Sequence, residues 1–275
     1  MGLLIYADME GICGIQSWEH TGGSSPLYDE GRRLYTAEVS AAVRGCLAGG
    51  ARPVIVQDGH GGAYRGAKPF MNWIPDQLEP GAEYVRGWRW GSYVEPLETG
   101  ECTAIAFVGA HARAGMAHAV LSHTIDADGW HAVSVNGRII GESAILASIA
   151  GSFGVPAIAI AGDMAACDEL EDFLGAPIVQ AVVKRGMGRY GARMLAPADA
   201  CRLVEERFRA AVEDRASCPP VVTYTDPVLI RVDLASPDRA SRLAELEGVE
   251  RVEERAVQTS GDTFWAAWRT LWKPS

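Results

Sequence analysis

The first eleven residues constrain this chain more than any other stretch. Leu3-Leu4-Ile5-Tyr6-Ala7 is an apolar run too brief for a helix, and it reads as a buried strand. It stops at Asp8-Met9-Glu10-Gly11, with carboxylates at i and i+2. In a strand those positions project to the same face, so Asp8 and Glu10 point together. Two like charges at the end of a core strand repel each other and lose hydration. Both stay ionised only where a cation or a basic partner stands between them. A pair of solvated acids is the ordinary reading of an isolated Asp-x-Glu; the histidines downstream shift it toward a metal.

Pro53–Gln57, Ala104–Val108 and Val155–Ala161 are further strand-sized apolar runs, and a helix from Asp29 to Ala48, stopped by Gly49-Gly50, separates the first two strands. Strand, helix and strand in that order predict a right-handed parallel crossover. Polar residues just past the strands' carboxyl ends then meet in one crevice, where open α/β sheets bind ligands. Those residues are Asp8 and Glu10, then His60 in Asp58-Gly59-His60, then His111 in Gly109-Ala110-His111. Glu142 falls in the first turn of the next helix, as a dipole-capping carboxylate or as a ligand aimed back at the strand ends. His123 follows Ser122, while His118 and His131 read as structural.

The expected fold is α/β, a mostly parallel sheet flanked by helices with a smaller C-terminal α+β domain. Cys218-Pro219-Pro220 is the clearest linker, dividing a catalytic domain at 1–218 from a structural or oligomerisation domain at 219–275. Asn136-Gly137 predicts a hairpin turn after Ala132–Val135. Lys184 to Arg193 reads as a Gly/Arg loop, and Pro197–Asp214 as an amphipathic helix. In the C-terminal piece the pattern predicts strands at Val228–Leu234 and Val249–Val252 and helices at Pro237–Leu246 and Gly261–Leu271. Phe264, Trp265, Trp268, Leu271 and Trp272 make a broad aromatic face that suits subunit packing at least as well as core. Trp73, Trp88 and Trp90, between Pro69 and Thr99, read as packing in a loop-rich segment.

A net charge of −10 with no Lys/Arg cluster argues against nucleic acid. No apolar run reaches membrane-spanning length, and Asp8 interrupts the N-terminal run too early for a cleavable leader. The six cysteines are scattered without a Cys-x-x-Cys pair, which suits reduced thiols in a cytoplasmic protein.

Asp8, Glu10, His60, His111 and Glu142 form a donor set of carboxylates and imidazoles that suits zinc or a similar divalent ion. Five ligands exceed one catalytic site with an open position, but they suit two metals if a carboxylate bridges. Such a pair makes a hydrolytic nucleophile from water near neutral pH. His123 is then left to move protons or to attack near the metals.

The ordered set Asp8-Met9-Glu10-Gly11, Asp58-Gly59-His60, Gly109-Ala110-His111-Ala112-Arg113, Ser122-His123 and Asn136-Gly137-Arg138-x-x-Gly141-Glu142 resembles the dizinc D-aminopeptidases of bacterial dipeptide-transport operons. The resemblance runs from residue 1 to about 200, including Ala161-Gly162-Asp163 and Val183-Lys184, with a looser match beyond. It implies that Asp8 bridges two zinc ions, with Glu10 and His60 completing one site and His111 and Glu142 the other. It places the catalytic histidine at His123, described in the family as the nucleophile; the residues alone leave nucleophile and acid–base roles open. It also implies decamers of two stacked pentameric rings acting on short peptides. Gly59 departs from the Ser usual in the family. The alternatives are a dinuclear hydrolase of another small amide or ester, or a non-catalytic metal-dependent binding protein.

Overall fold

The computed structural model describes residues 1–62, 69–87, 92–214, 217–224 and 227–271. The chain opens with β1 (Leu3–Ala7), α1 (Pro26–Ala48), β2 (Val54–Asp58), β3 (Glu83–Val85), α2 (Glu95–Glu98) and β4 (Ala104–Ala110). It continues through β5 (Trp130–Val135), β6 (Arg138–Ile140), α3 (Glu142–Gly151), β7 (Ala157–Asp163), α4 (Met164–Leu174), β8 (Val179–Gly188) and β9 (Gly191–Met194). The remainder is α5 (Pro197–Glu213), β10 (Val228–Leu234), α6 (Pro237–Ala244), β11 (Glu250–Glu253), β12 (Ala256–Gly261) and α7 (Phe264–Leu271).

β1 sits inside a seven-stranded sheet of order β3-β2-β1-β4-β7-β8-β9. Every pairing is parallel except β8 with β9. Alternation along each strand feeds two cores. Leu3, Ile5, Val54, Val56, Ala106 and Val108 pack under α1 and α5, while Leu4, Ile55, Ile105 and Phe107 pack on the other face against α3 and the second sheet. Full burial of each Leu or Ile contributes about 1.5–3 kcal/mol, so the central strands are pinned from both sides. Ala7 pairs with Asp58 on one flank and Val108 on the other, which brings three strand ends level.

Several local expectations change. The first helix starts at Pro26, not near Asp29: Ser25 caps it by accepting from the Leu27 N–H, and proline's fixed φ suits the first turn. Lys184–Arg193 is not a loop but the body of the antiparallel β8–β9 hairpin. β12 is a strand that the sequence pattern does not announce; it pairs with both β10 and β11. The Asn136-Gly137 turn is as expected, both residues having positive φ.

The second sheet has the order β11-β12-β10-β5-β6. It draws β5 and β6 from before the Cys218–Pro220 linker and β10–β12 from after it, so strands from both sides of the proposed 218/219 division share one sheet. The aromatic face of α7 is core and not an exposed patch. Phe264 and Trp268 are each 1 % exposed, Trp268 donates to the Tyr93 hydroxyl, and half-buried Trp265 lies edge-on to Tyr93. Trp73 is fully buried against Tyr35 and Tyr84; Trp88, Trp90 and Trp272 lie outside the described residues. No disulfide links any of the six cysteines. Among the described residues no helix is long and apolar enough to cross a membrane.

Candidate metal centre

Asp8 and Glu10 leave the end of β1, His60 follows β2 by two residues, and His111 follows β4 directly. The turn after β1 is tucked against the end of β4, with Gly11 N–H donating to the Gly109 carbonyl. Gly109 has φ +73°, and a Cβ there would meet the Asp8 carbonyl oxygen at 1.9 Å, so the approach of β4 to Asp8 requires glycine. Glu142 opens α3 and reaches the same crevice.

The two oxygens of Asp8 face two different imidazoles. Oδ1 lies 3.0 Å from His60 Nδ1, and Oδ2 lies 3.3 Å from His111 Nε2. Glu10 Oε2 is 3.1 Å from the same His60 nitrogen, and Glu142 Oε1 is 3.4 Å from His111 Nε2. The five predicted ligands are therefore brought together as two clusters joined at Asp8. Ligand-capable atoms of Asp8, Glu10 and His60 lie within 4.8 Å of one another, as do those of His111, His123 and Glu142.

Each histidine is oriented by a backbone carbonyl, which can only accept. His60 Nε2 donates to Thr21 O at 2.8 Å, His111 Nδ1 to Ala112 O at 3.1 Å, and His123 Nδ1 to Leu121 O at 2.8 Å. The opposite ring nitrogen of each is thereby presented to the crevice, the arrangement that prepares an imidazole as a ligand or base. Glu10 Oε2 and His111 Nε2 are buried and have no hydrogen-bond partner. Buried polar atoms left this way are costly, and a bound cation is one way to satisfy them.

The electrostatics agree. Burial disfavours the charged form of His60, yet Glu10 and Asp8 beside it hold its pKa well above the ordinary imidazole value. Burial is likewise outweighed at His111, where Glu142 and Asp8 raise the pKa. Asp8 is desolvated, but His111 and His60 keep its carboxyl well below the usual range, and His111 also lowers that of Glu142.

His123 is placed differently. Its ring stacks on His111 at 4.1 Å and 9°, with Trp18 edge-on at 5.4 Å. Burial, then the neighbouring His111, lower its pKa. Its Nε2 is 3.9 Å from Glu142 Oε1, while Glu142 also accepts the Ile125 N–H at 2.7 Å. His118 is exposed and His131 lies on β5 away from the crevice, in keeping with structural roles. The crevice is a cavity of about 450 Å³ whose walls include Tyr6, Trp18, Phe70, His123, Ile125 and Asp128.

Sequence reasoning missed three supports. Lys184, 2 % exposed, donates from Nζ to the carbonyls of Glu10, Ile12 and Ile15 and so clasps the turn that carries Glu10. Asp58 accepts from the His60 N–H and from the Asn72 backbone and side chain, holding the His60 turn. Gly59 lies against the Tyr6 ring, where a Cβ would come within 2.1 Å, so this chain's Tyr6 is incompatible with a side chain at 59. The sequence flagged the Val183-Lys184 pair and the Asp58-Gly59-His60 motif, but not what Lys184, Asp58 or Gly59 touches.

Comparison with known proteins bears on this geometry. The family model described as D-aminopeptidase matches residues 1–273. A D-aminopeptidase of Bacillus subtilis (strain 168) is 30% identical over 230 residues, 83% of this chain and 80% of that protein. The solved structure of a Zn-dependent D-aminopeptidase from Bacillus subtilis, described as a self-compartmentalizing protease, superposes with a TM-score of 0.85 at 27% identity, covering 98% of this chain and 95% of that one.

Proposed function

The chain belongs to the D-aminopeptidase family and is a zinc-dependent aminopeptidase, and from that premise we propose that it removes an N-terminal D-residue from short peptides at two zinc ions. In this reading Asp8, Glu10 and His60 hold one ion, and Asp8, His111 and Glu142 hold the other. The observation that carries it is the pair of Asp8 oxygens turned to separate histidines. The donor set fits: carboxylate oxygens and imidazole nitrogens without thiolate suit zinc, and the partnerless Glu10 Oε2 and His111 Nε2 belong one to each cluster.

Divalent metal held there supplies Lewis acidity toward the scissile carbonyl and lowers the pKa of water. The chain's own part is orientation and proton handling. Asp8 fixes the spacing of the clusters because one carboxylate serves both. His123, with Nδ1 committed to Leu121 O, offers Nε2 to take up a proton and return it to the leaving amine. Trp18 holds that ring in place. Asp128, the wall carboxylate outside the metal sets and the Arg239–Asp126 pair, favours a substrate whose near end is an ammonium.

The same premise extends to assembly as an oligomer, proposed as a decamer of two pentameric rings in the cytoplasm, which would admit short peptides and exclude folded proteins. The test is twofold. Zinc-loaded protein should cleave D-alanyl dipeptides faster than their L-alanyl counterparts, and light scattering should give a mass far above the 29.4 kDa chain. Equal rates on both configurations would reject the stereochemistry, and a monomer would reject the compartment.

A further inference from the structure

The described cavity wall contains Asp8, Glu10, Asp126, Asp128 and Glu142 but no lysine or arginine. A peptide with free ends carries an ammonium at one end and a carboxylate at the other; with Asp8, Glu10 and Glu142 proposed as metal ligands and Asp126 paired with Arg239, Asp128 is left for the ammonium, and no described wall lysine or arginine meets the carboxylate. Beyond the wall stands a cation with no anionic partner among the described residues. Arg189, exposed at the turn between β8 and β9, has its guanidinium carbon 5.8 Å from the Trp18 ring centroid. Trp18 in turn lines the cavity and meets His123 edge-on at 5.4 Å.

Arg189 is also tied to the loop that carries His123. Its backbone carbonyl accepts the Leu121 N–H at 2.9 Å, and its guanidinium reaches the Ser122 carbonyl at 3.4 Å. Its side chain also lies against the Tyr190 ring. Among the described residues none of its partners is anionic, although the chain carries 35 acidic residues. A guanidinium offers a planar fork that matches a carboxylate bidentately, and among the described residues this one is engaged only by the Ser122 carbonyl and the two aromatic rings.

We propose that Arg189 is the binding site for the substrate's C-terminal carboxylate, selecting short peptides with a free C-terminus. The inference rests on the aminopeptidase reading of the cavity. The two ring spacings put the guanidinium carbon no farther than about 11 Å from the His123 ring. An extended chain advances about 3.3–3.6 Å per residue, so roughly two to three residues fit between the bond cleaved beside His123 and a carboxylate on Arg189. Asp128 in the wall and Arg189 beyond it thus sort the two ends of a zwitterion, the ammonium inward and the carboxylate outward.

The test compares one cleavable tripeptide as free acid and as C-terminal carboxamide, with wild type and Arg189→Met, which keeps an apolar stem on Trp18. Wild type should prefer the acid by roughly 10- to 100-fold in kcat/KM, the scale of a charge-assisted hydrogen bond. That preference should collapse toward unity in R189M, mainly through KM, with zinc content equal to wild type. Arg189→Lys should restore part of it. A support for the His123 loop alone would lower both substrates equally and leave the ratio intact, which overturns the proposal, as does a wild type without preference. A wild type that cleaves neither peptide would remove the peptide-substrate reading and this inference with it, whereas an active wild type with an unmoved ratio removes only Arg189.

Discussion

Replacing Lys184 by methionine removes the clasp beneath Glu10 while nearly preserving volume. The ammonium donates to three carbonyls, at 2.5 Å from Glu10 O, 2.9 Å from Ile12 O and 2.6 Å from Ile15 O. Hydrogen bonds to a charged group contribute about 1.5–3 kcal/mol each, so three are worth roughly 4–9 kcal/mol. Against that stands the cost of a buried ammonium. Burial, opposed by Asp163 and Glu38, lowers the Lys184 pKa to about 8 from 10.5, a penalty on the order of 3 kcal/mol that methionine removes. The net loss is roughly 1–6 kcal/mol. At about 2–4 °C per kcal/mol for a domain of this size, Tm should fall by roughly 2–24 °C. The damage should also be directional, because the freed turn carries Glu10 but none of His111, His123 or Glu142. Chelator competition on zinc-loaded Lys184→Met should therefore release one ion well before the other, where wild type holds both. A variant within about 2 °C of wild type, or one that loses both ions together, would refute the clasp as the support of a single cluster.

Other outcomes rest on the same geometry. His123→Ala should keep two ions per chain and lower kcat by roughly 10²–10⁴, with His118→Ala and His131→Ala near wild type; an ion lost from His123→Ala by metal analysis would make His123 a ligand instead. Asp8→Ala should lose both ions on dialysis, while His60→Ala and His111→Ala each weaken mainly one; two ions retained without Asp8 would rule out the bridge. Glu38 is fully buried, and that burial, only partly offset by the Cys13 N–H and Lys184, raises its pKa from 4.5 to about 7. A raised carboxyl pKa means the folded state keeps a proton the unfolded chain has released, so its contribution is intact below about pH 4.5 and lost as pH rises to about 7. Glu38→Gln should match wild type near pH 4.5 and exceed it by roughly 3 kcal/mol at pH 8, read from denaturant unfolding at both pH values; a difference independent of pH would contradict the assignment.

The core of the fold and the candidate ligands were legible because both depend on short-range pattern. Leu3–Ala7, Pro53–Gln57 and Ala104–Val108 announce buried strands, and a parallel sheet carries the residues just past those strands to one edge, so Asp8, His60 and His111 meet though far apart in sequence. The hidden part depends on pairings that composition does not encode. Lys184 and Glu10 are separated by 174 positions, and nothing local distinguishes a lysine that clasps a turn from one that faces water. Gly186, Gly188 and Gly191 give β8 and β9 the look of a loop, although their antiparallel pairing supplies the order. The amphipathic pattern of α7 is the same whether its aromatic side meets another subunit or the chain's own β-sheet, and only the second sheet decides for the latter.

That second sheet also imposes an order on synthesis. The last proposed ligand, Glu142, leaves the ribosome long before β10 exists, yet β5 pairs with β10 along Val133–Val232 and its neighbours. The cavity wall at Asp126–Trp130 is tied to the same late segment, through the Arg239–Asp126 ion pair at 2.5 Å and the Ala235 N–H to Gly129 O bond at 3.0 Å. At about 5–20 residues per second the interval from Glu142 to β10 lasts roughly 5–20 s. During it the nascent chain holds every proposed ligand beside an unpaired β5 edge and an unfinished wall. Zinc taken up in that window would meet an immature pocket, so the C-terminal segment acts as the closing step that turns a metal-binding chain into a shaped cavity.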